Sequence, residues 1–232
     1  MSKYRNEWKF CCSEAELELL KSRLTELLHF DRYSGEDGQY CVRSIYFDDY
    51  TNTCARQNEA GLPDRYKWRI RYYANVESKY IHLEKKVKHD GRGRKYSCAL
   101  SEDECRALIA GRPDLIIWQN NNEVLRKFCF DIMTKHFVPK VIIEYDRIAF
   151  VEPISDIRVT FDMNISASND FEEFLEGTFK RVPLQEKQRH VLEVKFDDIL
   201  PSYIRNIVES YGFKQTSFSK YYNGRKAVEG LI

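Results

Sequence analysis

Polar and apolar positions along the chain fall into two rhythms. A helical period of three to four appears four times, each time with stop or start signals. Ser13-Glu14-Ala15-Glu16 reads as a capping box leading into Leu17, Leu20, Leu24, Leu27 and Leu28 on one stripe. Ser101-Glu102-Asp103-Glu104 repeats the device ahead of Cys105, Leu108 and Ile109, and Gly111 offers a stop. A third helix is expected over about Asn122–His136, with Val124, Leu125, Phe128, Ile132 and Met133 inward. A fourth follows Pro201 with Ile204, Ile207, Val208 and Tyr211 inward and Gly212 as its cap.

The other rhythm is strict alternation. Arg5, Glu7 and Lys9 share a face in RNEWK, as do Lys67, Arg69 and Arg71 in KWRIR, where Trp68, Ile70 and Tyr72 take the other side. His82, Glu84 and Lys86 oppose Ile81, Leu83 and Val87. Tyr145 and Arg147 alternate with Ile142, Glu144 and Ile148. Arg158 and Asp162 oppose Val159 and Phe161, and Glu193 and Lys195 oppose Leu192, Val194 and Phe196.

A half-buried sheet ordinarily turns its polar face to solvent. Here the same charged face recurs on many strands. That consistency favours an α+β fold in which a closed antiparallel β-barrel encloses the charged faces and carries helices on its apolar outer wall. A two-layer sandwich with its charged face in water is the alternative. A lumen with Lys9, Lys67, Arg69, Arg71, Lys86, Arg147, Arg158 and Lys195 calls for an anionic guest, since like charges in a row repel.

Composition adds bounds. The 232 residues, 43% hydrophobic, suit one domain over 1–232. No apolar run is long enough to span a bilayer, and MSKYRNEWKF lacks the core of a signal peptide, so a cytoplasmic location is expected. Seven cysteines without a C-x-x-C pair argue against a disulfide framework or zinc site. With 37 Lys plus Arg against 36 Asp plus Glu, electrostatic specialisation must be local. Aromatics alternate away from the cations, which does not make a stacking platform for nucleic acid. His82, His89, His136 and His190 lack metal-ligand spacing, and Gly91-Arg92-Gly93-Arg94-Lys95 reads as a hairpin turn rather than a Walker loop.

RNEWK, SIYFD at Ser44–Asp48, KWRIRYY at Lys67–Tyr73, LEKKVK at Leu83–Lys88, IIEYDRIAF at Ile142–Phe150, RVTFD at Arg158–Asp162, LEVKF at Leu192–Phe196 and SFSKYYNGR at Ser217–Arg225 form an ordered series. In that series the chain resembles the VTC-type polyphosphate polymerase domain of the vacuolar transporter chaperone family, within the triphosphate tunnel metalloenzymes (CYTH-like). The resemblance implies a tunnel of about eight antiparallel strands that takes ATP and inorganic polyphosphate as its partners with Mn²⁺ or Mg²⁺. It implies phosphate contacts from Arg69, Arg71, Lys9, Lys86, Lys95, Arg147, Arg158 and Lys220. Lys67 and Lys195 join them by strand parity, and Arg69, Arg71, Lys86, Arg147 and Arg158 are the expected catalytic cations. Glu193 matches the family's metal ligand, and Glu7 is either a second ligand or a counter-charge to Lys9; Glu84 is expected to balance Lys86.

Two departures matter. The wider tunnel family begins E-x-E-x-K, whereas Arg5 stands at the first acid, which tilts the expectation toward phosphate binding over hydrolysis. The chain also lacks the regulatory SPX region and the membrane helices of the eukaryotic complex. It is therefore expected to be a free-standing prokaryotic domain, without membrane insertion, and a separate membrane partner stays open. A tunnel-type triphosphatase and a non-catalytic polyphosphate or inositol-phosphate binder remain alternatives, because both use the same cations.

Overall fold

The alternating segments pair into one antiparallel sheet. A computed structural model describes residues 4–35, 37–74, 80–152, 154 and 156–230. Strand β1 (Asn6–Ser13) runs straight into helix α1 (Glu14–Thr25), where the Ser13/Glu16 capping box forms. The two-residue β2 (His29–Phe30), β3 (Gln39–Asp48) and α2 (Thr53–Glu59) follow. Next come β4 (Arg65–Tyr73), β5 (Tyr80–His89) and β6 (Arg92–Ala99). Helix α3 (Glu102–Ile109) and α4 (Glu123–Lys135) lead to the long β7 (Val138–Glu152) and β8 (Ile157–Ser168). A short β9 (Val182–Pro183), β10 (Arg189–Phe196), α5 (Ser202–Glu209) and α6 (Lys220–Glu229) complete the described chain.

The strand order is β1-β10-β8-β7-β3-β4-β5-β6, with β2 and β9 attached at the side. The expected closed barrel is a curled sheet with open edges. Its edge strands β1 and β6 touch at one point, where the backbones of Arg5 and Gly93 exchange hydrogen bonds of 2.9 and 3.0 Å. The reason lies in the C-terminal segment. Thr216 N–H donates to the Lys9 carbonyl and Gln215 bridges to Phe10, so the edge of β1 is already occupied beyond Arg5.

The convex face is apolar and covered. Leu17, Leu20 and Leu24 of α1, with Ile204 and Val208 of α5, pack on Phe150, Phe161, Leu192 and Val194. Leu125 and Phe128 of α4 cover Phe47, Trp68, Ile70 and Leu83, and Trp68 Nε1 donates to Asp131 of α4 at 2.8 Å. Two stripe positions differ from expectation: Leu27 is exposed because α1 ends at Thr25, and Met133 lies on the solvent face of α4.

Helix α6 departs from the rule that helices cover the outside. Register places Val141 opposite Tyr46 and Ile143 opposite Ser44, on the concave face with Arg69 and Arg71. A Cβ on Gly224 would lie 2.3 Å from Ile143 Cδ1 and 3.1 Å from Val141 Cγ2, so α6 packs against the inside of the sheet at this one close approach. Asp48 anchors it. Its carboxylate accepts from the Cys54 and Ala55 amides at the start of α2 and from Tyr221 Oη at 2.6 Å, beside fully buried Arg225.

Candidate functional site

Register lines the charged positions up as rungs. Arg71 faces His82, Arg69 faces Glu84, and Lys67 faces Lys86, which in turn faces Lys95. On the other wall Arg147 faces Asp162, Glu193 lies between Thr160 and Lys9, and Lys195 lies between Arg158 and Glu7. The faces read from alternation are thus one concave surface, to which α6 adds Lys220.

Buried carboxylates organise these cations into hubs. Glu84 receives Arg69 at 2.5–2.6 Å, Lys95 at 2.8 Å and Arg71 at 4.0 Å. Its expected partner Lys86 is not among them: Arg69 stands directly opposite Glu84 and offers a rigid two-pronged donor, which a lysine two residues along the same strand cannot match. Asp162 accepts two bonds from Arg147, at 2.6 and 2.8 Å, and pairs with Lys220 at 2.5 Å. Glu193 pairs with Lys195 at 2.8 Å, Lys220 at 2.9 Å, Lys9 at 3.5 Å and Arg147 at 3.9 Å. Arg158 instead pairs with Asp31 and Tyr40 Oη.

Arg5 corrects a second expectation. Its guanidinium lies 3.1 Å from Asp197 and 3.7 Å from Asp156, so it is a rim ion pair at the strand junction and adds no free cation to the lumen. Arg43 lies on the convex side against Glu144, as its parity indicates.

Electrostatics follow from this packing. Burial alone would raise the Glu193 and Glu84 pKa values, but the surrounding cations outweigh it and hold both carboxyls well below the ordinary range. Burial pushes Lys67 down to about 8, and pushes Lys86 well below the usual lysine value with repulsion from Arg69, Lys195 and Lys67. Tyr46 goes the opposite way from a buried phenol. Arg69, Lys67 and Arg71 overcome its burial and bring it to about 8. Lys67 and Lys86 have no ion pair among the described residues; Lys67 lies over the rings of Tyr46 and Tyr221.

Several buried polar atoms on this face make no hydrogen bond among the described residues: Ser44 Oγ, Arg71 Nε, His82 Nδ1, Arg158 Nε and Thr160 Oγ1. Each such group costs about 1–3 kcal/mol when left unsatisfied. Together with the excess of cations, they form a surface suited to an oxygen-rich polyanion.

For a metal, the donor chemistry fits in part. Glu7 at 3.0 Å and Glu193 at 3.5 Å share the Lys9 ammonium, and Glu193 and Asp162 share that of Lys220. These are hard oxygen donors gathered in one place. Among the described residues no three acidic, histidine or cysteine side chains converge as a ready-made metal site. A divalent cation here therefore needs phosphate oxygens to complete its shell.

Sequence reasoning missed Asp31, Ser44 and Thr160 as site residues and α6 as a helix, and it read Tyr46 as packing, whereas register sets it opposite Arg69. Asp162 was visible by its parity with Arg158 but was passed over. Asp31 sits in a loop with no periodic signal.

The family described as the VTC domain matches residues 4–229 by its sequence model. No curated protein matches the chain. Among solved structures, a candidate adenylate cyclase from Bacillus halodurans is similar at a TM-score of 0.56 and 14% identity, covering 94% of this chain and 95% of that one. A candidate adenylyl cyclase from Hippeastrum, described as having a dominant triphosphatase activity, is similar at a TM-score of 0.56 and 12% identity over 100% of this chain and 97% of its own. At such identities the likeness concerns the fold.

Proposed function

The chain belongs to the VTC-domain family, and from that premise we propose that its concave face transfers the γ-phosphoryl group of ATP to the end of an inorganic polyphosphate chain. The observation that carries this reading is the cationic concave surface, where basic side chains outnumber the carboxylates and several buried polar atoms make no hydrogen bond among the described residues. In this reading 1–232 acts as one domain, since a single sheet runs through it. No helix among the described residues is long and apolar enough to cross a membrane; a cytoplasmic location and a separate membrane partner belong to the proposal.

Phosphoryl transfer asks a protein mainly to position its reactants and stabilise spreading negative charge. Arg69 is held by Glu84 and Arg147 by Asp162, so both guanidinium groups are fixed before substrate arrives. Arg71 Nε lies 4.0 Å from Glu84 and makes no hydrogen bond among the described residues, and Lys67 and Lys86, with no ion pair among those residues, can turn to phosphate oxygens. Lys220 sits between Asp162 and Glu193, where its ammonium is held ready for the transferred group. The acceptor chain's terminal oxygen attacks the γ-phosphorus, and the bond to the β-bridging oxygen breaks to release ADP. No side-chain nucleophile is needed. Glu193, with Glu7, would hold Mn²⁺ or Mg²⁺ against the phosphates, which supplies further charge neutralisation.

A second reading, a tunnel-type triphosphatase, is favoured by the meeting of Glu7 and Glu193 at Lys9, because two carboxylates can serve metal-assisted hydrolysis. Purified protein with ATP, Mn²⁺ and a short polyphosphate primer decides between them. ADP with lengthened chains is expected. ADP with inorganic phosphate and a primer that does not lengthen assigns the triphosphatase, and tight binding without turnover assigns a polyphosphate or inositol-phosphate binding module.

A further inference from the structure

Asp31 brings a carboxylate to the concave face from outside the wall. Glu7, Glu84, Asp162 and Glu193 all stand on strands of that wall, whereas Asp31 directly follows the two-residue β2 and its N–H donates to the Ala149 carbonyl at 2.8 Å. The residue is nonetheless only 7% exposed. Its Oδ2 accepts from Arg158 Nη2 and, at 3.3 Å, from Tyr40 Oη, and Arg158 Nη2 also donates to Tyr40 Oη at 2.8 Å.

This triangle is incompletely satisfied. Arg147 takes both oxygens of Asp162, but Arg158 meets one oxygen of Asp31, whose other oxygen accepts from the Tyr33 N–H at 3.3 Å. Arg158 Nε is buried and makes no hydrogen bond among the described residues. A phosphate offers a guanidinium the two-pronged contact that is missing here. Burial pushes the Tyr40 phenol up against the pull of Arg147 and Arg158, so its hydroxyl stays a donor. Tyr40 stands directly opposite Arg147, which sets Arg158 next in line for an anion gripped there. On the other side, the Tyr33 ring lies 4.7 Å from that of Tyr73 and 5.3 Å from that of Tyr80, one same-face rung beyond Arg71 and His82. The turn from Asp31 to Tyr33 thus joins the wall of Arg158 to the wall of Arg71.

We propose that Asp31 is a displaceable counter-anion: its carboxylate holds the place of a phosphate group at Arg158 and Tyr40 in the free protein, and a bound phosphate chain takes that place. Asp31 then keeps Arg158 neutralised and oriented before substrate arrives, since a buried arginine without a counter-charge is costly. By competing for Arg158 it also weakens the hold of the face on its ligand and favours release. When phosphate takes Arg158, the carboxylate swings off with the turn and loosens its hold on the Tyr33 N–H. The proposal rests on the reading of the concave face as a phosphate site.

The test is calorimetric titration of the full chain with tripolyphosphate for wild type, Asp31→Asn, Arg158→Gln and the double variant. Asp31→Asn should melt lower than wild type without ligand and bind tripolyphosphate about tenfold more tightly, and in the Arg158→Gln background that gain should shrink to within about twofold. Amide exchange of the wild type gives a second reading that needs no variant. The Tyr33 N–H should exchange faster once tripolyphosphate is bound, because its acceptor has moved.

Unchanged or weaker binding by folded Asp31→Asn overturns the proposal and leaves Asp31 a fixed structural partner. A gain that is equal or larger without Arg158 also overturns it, since plain repulsion between Asp31 and the ligand needs no arginine. Slowed or unchanged exchange at Tyr33 on binding does the same, and decides the matter if Asp31→Asn does not fold. Each of these results removes this inference alone. Wild type that does not bind tripolyphosphate removes the phosphate-site reading with it.

Discussion

Arg69 and Glu84 face each other across β4 and β5, and the guanidinium grips the carboxylate at 2.5 and 2.6 Å where Glu84 has no exposure at all. Glu84 thereby holds three cations of the lumen, Arg69, Arg71 and Lys95, in one place. Glu84→Gln should cost about 3–5 kcal/mol, because it leaves buried cations without their counter-charge. Tripolyphosphate should recover part of the lost melting temperature by binding only the folded state. The same linkage gives the pH sense. The folded-state pKa of Glu84 lies well below 4.5, so its stabilisation is present above the ordinary carboxylate range and is lost as acid protonates it. Thermal melts from neutral pH downward, with and without the variant, check both points.

Arg69→Ala/Arg71→Ala should abolish tripolyphosphate binding measured by calorimetry. It should also melt lower than wild type, since it leaves Glu84 with Lys95 as its only cationic partner among the described residues. An alternating row of cations taken alone suggests relief of repulsion and a higher melting point. The Glu84 hub reverses that sign.

Affinity for triphosphate should fall as pH rises through about 8. Lys67 titrates near 8 in the free protein, and a bound anion raises that value, so binding takes up a proton. Tyr46 also ionises near 8 and adds a negative charge to the same face as pH rises. Lys67→Arg and Tyr46→Phe should each flatten the fall between pH 7 and 9.5. A fall of undiminished steepness in both variants contradicts the assignment.

Gly224→Ala should loosen α6 from the inside of the sheet, because its Cβ would clash with Ile143 and Val141. Overpacking of this kind costs about 1–3 kcal/mol. Lys220 opens the same helix, so turnover should drop by more than melting predicts, with Lys220 displaced from Asp162 and Glu193. Comparing kcat at a temperature where both proteins are folded separates the two effects.

Much of the architecture was legible in the alternation itself. Period two fixed which side of each strand is charged, and register then set Lys67 beside Lys86 and Glu193 beside Lys9 as rungs of one surface. The capping boxes at Ser13 and Ser101 located the first residues of α1 and α3. What alternation could not carry was the pairing of charges. Parity says that Glu84 and Lys86 share a face, but the choice of Arg69 over Lys86 depends on which strand lies alongside. Nor could it show that Gln215 and Thr216 take the edge of β1, or that α6 turns inward, since both depend on contacts far apart in the chain. Asp31 lay outside any periodic element, and its pairing with Arg158 appears only in three dimensions.

Glu193 is the carboxylate around which Lys9, Lys195, Lys220 and Arg147 gather, and the account stands on that cluster being the reaction centre. The direct measurement is ADP release by Glu193→Gln from ATP, Mn²⁺ and a polyphosphate primer, read beside its melting temperature and its tripolyphosphate affinity. The account predicts a folded protein that binds tripolyphosphate as well as wild type or better, since a negative charge has left an anion site, and turns over slower by about two orders of magnitude or more. Near-normal ADP release from folded Glu193→Gln would contradict it.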